Sequence, residues 1–100
     1  MKLQQLRFLL AVANHGLNVS AAAAALYTSQ PGISRQIREL EDELGLELFE
    51  RRGKRIVALT AAGERVSAHA RRVLQEVQGI RQVAEELRRD SRSCKSEKRA

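Results

Sequence analysis

Leu3, Leu6, Leu9, Leu10 and Val12 recur at three- and four-residue intervals, with Gln4, Gln5 and Arg7 between them. That period gathers the apolar side chains on one face of a helix over residues 3–15. "NHG" ends it, and Gly16 suits the position just past a helix. Asn18 reads as an N-cap, and "VSAAAAAL" as a short helix whose alanines let a neighbouring helix come close. "YTSQ" then breaks the pattern. Ser29 or Gln30 can cap the next helix, and Pro31 fits its first turn, where a missing N–H costs nothing. In this third helix Ile33, Ile37, Leu40 and Leu44 share one face, and the acidic "ELEDELG" stops at Gly45. Two helices joined by a short turn, after a supporting first helix, predict a helix-turn-helix.

The period then changes. Leu46, Leu48 and Phe49 lead into "RRGKR", and Ile56, Val57 and Leu59 return to β-favouring residues. This predicts two short strands with a basic tip, a wing. Arg51, Arg52, Lys54 and Arg55 crowd around Gly53. A solvated loop accounts for such a cluster, but beside a helix-turn-helix phosphate contact is the better reading.

After Thr60, which reads as a cap, a last helix shows Val66, Ala70, Val73, Val77, Ile80, Ala84 and Leu87 spaced 4, 3, 4, 3, 4, 3. That is a heptad seam. A rod of roughly 42 Å cannot hide such a seam against so small a domain. Pairing with a second copy is expected, and the spacing leaves parallel and antiparallel arrangements open. Residues 1–59 are thus expected to form the winged helix-turn-helix, 60–89 the dimerising helix, and 90–100 a disordered basic tail without apolar anchors. The expected fold class is mainly α.

Composition sharpens the picture in places. Aromatics are 3% of the chain against 43% hydrophobic residues, a balance that favours helices. The net charge is +6, which points to a polyanionic partner or serves solubility alone. Its distribution matters more. Residues 1–60 hold eight basic and six acidic residues, net +2, whereas 88–100 hold six and two, net +4. The lone cysteine, Cys94, excludes a disulfide within the chain and fits a reducing, cytoplasmic setting. No apolar run is long enough to span a membrane.

With Ile33, Ile37 and Leu40 facing inward, Gln30, Ser34, Arg35 and Arg38 face out. Gln presents the donor and acceptor that match adenine, and Arg the two donors that match guanine. Ser34 is short enough to let the helix approach, and N–H groups at the helix start can hold a phosphate. This face is expected to read double-stranded DNA. No reaction site is expected. His15 reads as a helix end and His69 as a solvated flank, with no metal-ligand spacing, and no Gly-rich phosphate loop or cofactor motif is present. The run of Glu39, Glu41, Asp42 and Glu43 reads as a solvated face.

The stretch "AAAALYTSQPGISRQIRELEDELGLELFERRGKRIVALTAAGE" resembles the N-terminal domain of LysR-type transcriptional regulators, and the likeness covers about residues 1–90. "MKLQQLRFLLAVANHGLNVS" and "LYTSQPGIS" resemble the CysB-like branch, whose members activate sulfur-assimilation and cysteine-biosynthesis genes. Leu17 stands where many relatives have glycine, a feature of that branch. The resemblance implies a winged helix-turn-helix followed by a dimerising linker helix. It implies base contacts by Gln30, Pro31, Ser34 and Arg35, with Ser29 and Arg38 near phosphates. Arg52, Lys54 and Arg55 would serve as wing contacts, Thr60 as the cap that starts the linker helix, and Glu41 as a structural residue.

It further implies a homodimer on a pseudo-palindromic promoter site in the bacterial nucleoid, with full-length relatives and RNA polymerase as further partners. Relatives continue into an effector-binding domain of two α/β lobes, which "SRSCKSEKRA" does not resemble. No small-molecule inducer site is therefore expected in these residues. A truncated module that pairs with full-length regulators is the alternative.

Overall fold

The computed structural model describes residues 1–93. Its elements in chain order are α1 (Leu3–Asn14), α2 (Val19–Ala25), α3 (Gln30–Leu44), β1 (Phe49–Arg52), β2 (Arg55–Leu59) and α4 (Ala61–Ser93). The mainly helical class and the two-stranded wing expected from the sequence are both present.

The apolar stripes converge on one core. Leu6, Leu9 and Val12 of α1 meet Ala22 and Ala23 of α2 and Ile33, Ile37 and Leu40 of α3, with Leu48 and Phe49 closing the base. Each helix start is held by a local oxygen. The Asn18 side chain accepts from Ala21 N at 3.0 Å, and Ser29 Oγ accepts from Gly32 N at 3.0 Å, so Ser29 rather than Gln30 caps α3. Gly45 ends α3 in the left-handed conformation, φ 70.

The α1–α2 turn is unusual. Leu17 follows Gly16, and both have φ 66. A left-handed leucine costs about 1–2 kcal/mol. Its side chain packs on the core, which offsets part of that cost. Glycine would adopt this backbone without that cost.

Glu41 does not belong to a solvated face. It is 6% exposed, and its carboxylate accepts from Leu48 N at 2.8 Å and Phe49 N at 3.3 Å. It also pairs with the Arg51 guanidinium at 3.1 Å. This one side chain ties α3 to the wing. Glu39, Asp42 and Glu43 are exposed as expected.

Thr60 couples the wing to the last helix. Its hydroxyl donates to Glu47 O at 2.6 Å and accepts from Gly63 N at 2.9 Å. The α4 helix is 33 residues long, about 50 Å at the α-helical rise. It runs on to Ser93, so residues 90–93 of the expected disordered tail are helical. "RRDSRS" holds neither Gly nor Pro to stop the helix. The rest of that tail, including Cys94, lies outside the described residues.

The heptad seam is divided between two surroundings. Ala70 is 2% exposed inside the core, and Val66 packs against it. Ala70, expected in the seam, is therefore packed within the chain, and Val66 is half-buried beside it. Val73, Ile80 and Leu87 stay 39%, 69% and 60% exposed. Val77 is half-buried and Ala84 exposed, and Val83 extends the apolar strip. Among the described residues one buried side-chain polar atom, Ser67 Oγ, has no hydrogen-bond partner.

Candidate nucleic-acid interface

The outer face of α3 is built by the same period that buries its inner face. Gln30, Pro31, Ser34, Arg35 and Arg38 are all exposed, and the Ser29 cap lies beside them. Because Pro31 brings no N–H and Ser29 satisfies Gly32, the helix starts cleanly and projects its first turn outward.

The wing supplies a second row of cations. Arg52 pairs with Arg55 across the hairpin, and Gly53, φ 63, makes the tight reversal between them. Arg52, Lys54 and Arg55 are exposed at this tip. Arg51, the fourth cation of the cluster, turns back to Glu41 and is spent on structure. A bulge between Glu50 and Arg51 accompanies that change of direction.

The two rows meet. A cleft of about 340 Å³ is lined by Gln30 of α3, Asn18 and Val19 at the start of α2, and Lys54, Arg55 and Ile56 of the wing. A second, of about 270 Å³, lies between Ser34 and Arg38 of α3 and Gly53 and Lys54. Among the described residues Arg35, Arg38, Arg52, Lys54 and Arg55 have no acidic partner. Arg38, Lys54 and Arg55 line these clefts, and with the exposed Arg35 and Arg52 they form a cationic surface suited to a polyanion.

Sequence reasoning missed three features here. Asn18 lines the cleft as well as capping α2. Arg51 lines the second cleft but is paired with Glu41. Gln30 donates from Nε2 to Ser20 Oγ at 2.6 Å. No periodicity signals a bond between side chains ten positions apart on two helices. His15 caps the end of α1 and His69 is exposed, as expected. No group of three or more potential metal ligands occurs among the described residues. No described helix is long and apolar enough to cross a membrane.

A family model described as "Bacterial regulatory helix-turn-helix protein, lysR family" matches residues 3–64. The chain belongs to the LysR family. Among LysR-family relatives, the transcriptional regulator CysB of Haemophilus influenzae is 57% identical over 89 residues, 89% of this chain and 28% of its own length. The chain thus spans under a third of the curated relatives it matches. Two solved structures share the winged-helix fold. BenM_DBD in complex with catB site 1 DNA has a TM-score of 0.80 at 32% identity, over 87% of this chain and 96% of that one. The CbnR_DBD–DNA complex has a TM-score of 0.74 at 43% identity, over 86% and 99% respectively. These LysR-family relatives are transcriptional regulators and not enzymes.

Proposed function

We propose that this chain is the sequence-specific DNA-binding domain of a LysR-type transcriptional regulator. It binds a pseudo-palindromic promoter site as a dimer, in the control of sulfur or cysteine metabolism. The observation that carries the reading is the joint cleft, where the exposed readers of α3 face the unpaired cations of the wing. α3 enters the major groove, with Gln30, Pro31, Ser34 and Arg35 against base edges. Ser29 and Arg38 reach phosphates, and Arg52, Lys54 and Arg55 grip the flanking backbone and minor groove. The likeness to BenM_DBD and CbnR_DBD, both solved on DNA, supports this placement. The metabolic assignment is supported by the CysB likeness.

Dimerisation is assigned to Val73, Val77, Ile80, Ala84 and Leu87. An apolar strip on a helix that extends beyond its own domain favours burial against a second copy. The same strip supports a second reading, a module that pairs with full-length relatives. That reading requires mixed dimers in pull-down and poor DNA binding by the chain alone. RNA polymerase is a further partner of the assembled regulator. The nucleoid is where such a regulator works.

The deciding experiment is selection from a random duplex pool at near-physiological salt. An enriched interrupted palindrome supports dimeric reading, and binding without enrichment refutes it. Two substitutions separate the roles. Arg35→Ala should cost about 1–3 kcal/mol and relax preference at one base pair per half-site, read by competition with single-base variants. Lys54→Ala should weaken binding to every sequence alike. Its log–log salt slope should fall in magnitude by about 0.9 for the one phosphate lost, read by titration at several salt concentrations.

A further inference from the structure

We propose that Ser20, on α2, is a positioning residue for base reading. Its hydroxyl holds the side-chain amide of Gln30 in the orientation that recognises one base edge. The inference rests on the DNA-reading function proposed above and adds to it a residue from outside the recognition helix.

Gln30 is the first residue of α3 and is exposed on the reading face. A free glutamine there would sample several rotamers and lose that freedom on binding. Instead its Nε2 donates to Ser20 Oγ at 2.6 Å, across the turn between α2 and α3. Ser20 is itself well anchored. It lies in the first turn of α2, which Asn18 caps, and the following Ala22 and Ala23 are buried in the core. Of Gln30, Ser34, Arg35 and Arg38, Gln30 alone has a side-chain hydrogen bond among the described residues.

The chemistry suits reading as well as bracing. A side-chain amide carries two N–H groups and one carbonyl oxygen. One N–H given to Ser20 leaves the other N–H and Oε1, a donor and an acceptor on the same amide. That pair matches N7 and the N6 amino group of adenine. The brace engages one N–H and leaves Oε1 and the second N–H for the base. A serine achieves this with a single short side-chain rotor, at little entropic cost of its own.

The test is selection from a random duplex pool, run in parallel with the wild-type chain, Ser20→Ala, Ser20→Thr, Gln30→Ala and the double variant. Affinities are then measured on the wild-type-selected duplex and its single-base-pair variants. Gln30→Ala is expected to flatten preference at one base pair of each half-site. Ser20→Ala should reduce preference at that same base pair by about three- to tenfold, since the amide is then ordered only on binding. Preference elsewhere and the thermal midpoint should not move. Ser20→Thr keeps the hydroxyl and should restore the preference. The double variant should match Gln30→Ala, because nothing is left to orient.

Uniformly weaker binding by Ser20→Ala, additive with Gln30→Ala, would identify a phosphate ligand and overturn the proposal. An unchanged preference in Ser20→Ala overturns it too. If Gln30→Ala keeps full preference, Gln30 does not read and Ser20 does not orient a reader. If the wild-type chain enriches nothing, the failure lies with sequence-specific reading itself.

Discussion

Replacing Glu41 with alanine is expected to destabilise the domain by about 3–5 kcal/mol, the usual cost of removing one partner of a buried ion pair. The carboxylate accepts from two backbone N–H groups, Leu48 and Phe49, and both bonds are buried. It also neutralises Arg51, whose side chain is only 17% exposed. Truncation leaves these donors and one cation without their acceptor, and water reaches them poorly. A small domain has about 5–15 kcal/mol in all, so the loss is a large share. Urea denaturation reads it as a lower midpoint. Glu41→Gln should fall between, because it keeps one carbonyl acceptor but gives up the charge. A loss under about 1 kcal/mol in Glu41→Ala would show that the network contributes little. DNA affinity should drop as well, since the same bonds set the wing against α3.

Gly63→Ala should cost about 3 kcal/mol or more, at the upper end of overpacking. A Cβ at this position would lie 2.0 Å from Leu48 O and 2.9 Å from both Leu48 C and Leu59 Cδ2. The nearest atoms are backbone, and that backbone is pinned. Thr60 N donates to Leu48 O at 3.0 Å, and the Thr60 hydroxyl donates to Glu47 O. Relief requires α4 to lift from the wing. Thermal unfolding followed by circular dichroism should show a midpoint lowered by about 12–24 °C. Gly79→Ala is the counterpart in the same helix. Its nearest neighbour is the mobile end of Glu76 at 3.9 Å, so it should gain up to about 1 kcal/mol of helix propensity. Equal effects at the two glycines would mean that the close approach at Gly63 is not maintained in solution.

The elements were readable because each has a local cause. The 3-and-4 spacing of Leu6, Leu9 and Val12 on α1, and of Ile33, Ile37 and Leu40 on α3, forces one face of each helix inward. Asn18, Ser29 and Thr60 satisfy the first free N–H groups of the helices that follow them. Gly53 permits the reversal that puts Arg52 and Arg55 side by side. The outward set of Gln30, Ser34, Arg35 and Arg38 followed by subtraction, since a helix with one buried face exposes the other.

What the local pattern left undecided is partnership across the chain. Glu41 and Asp42 are adjacent acidic residues, yet one is buried and the other exposed. The difference is whether the N–H groups of residues 48 and 49 lie opposite. Arg51 and Arg52 differ in the same way, one paired with Glu41 and one exposed without an acidic partner among the described residues. Gly63 and Gly79 are alike in sequence, and only the Leu48 backbone and the Leu59 side chain against Gly63 make a side chain costly there. The heptad run reads as one seam, but the core takes Ala70 with Val66 against it, while Val73, Ile80, Ala84 and Leu87 stay exposed. By itself, then, the sequence determined the helices, the wing and the polar face, because periodicity, caps and turns act within a few residues. Only the tertiary structure decided which charges are spent, which glycine is obligatory and which helix face is free, because each depends on a neighbour brought from far along the chain.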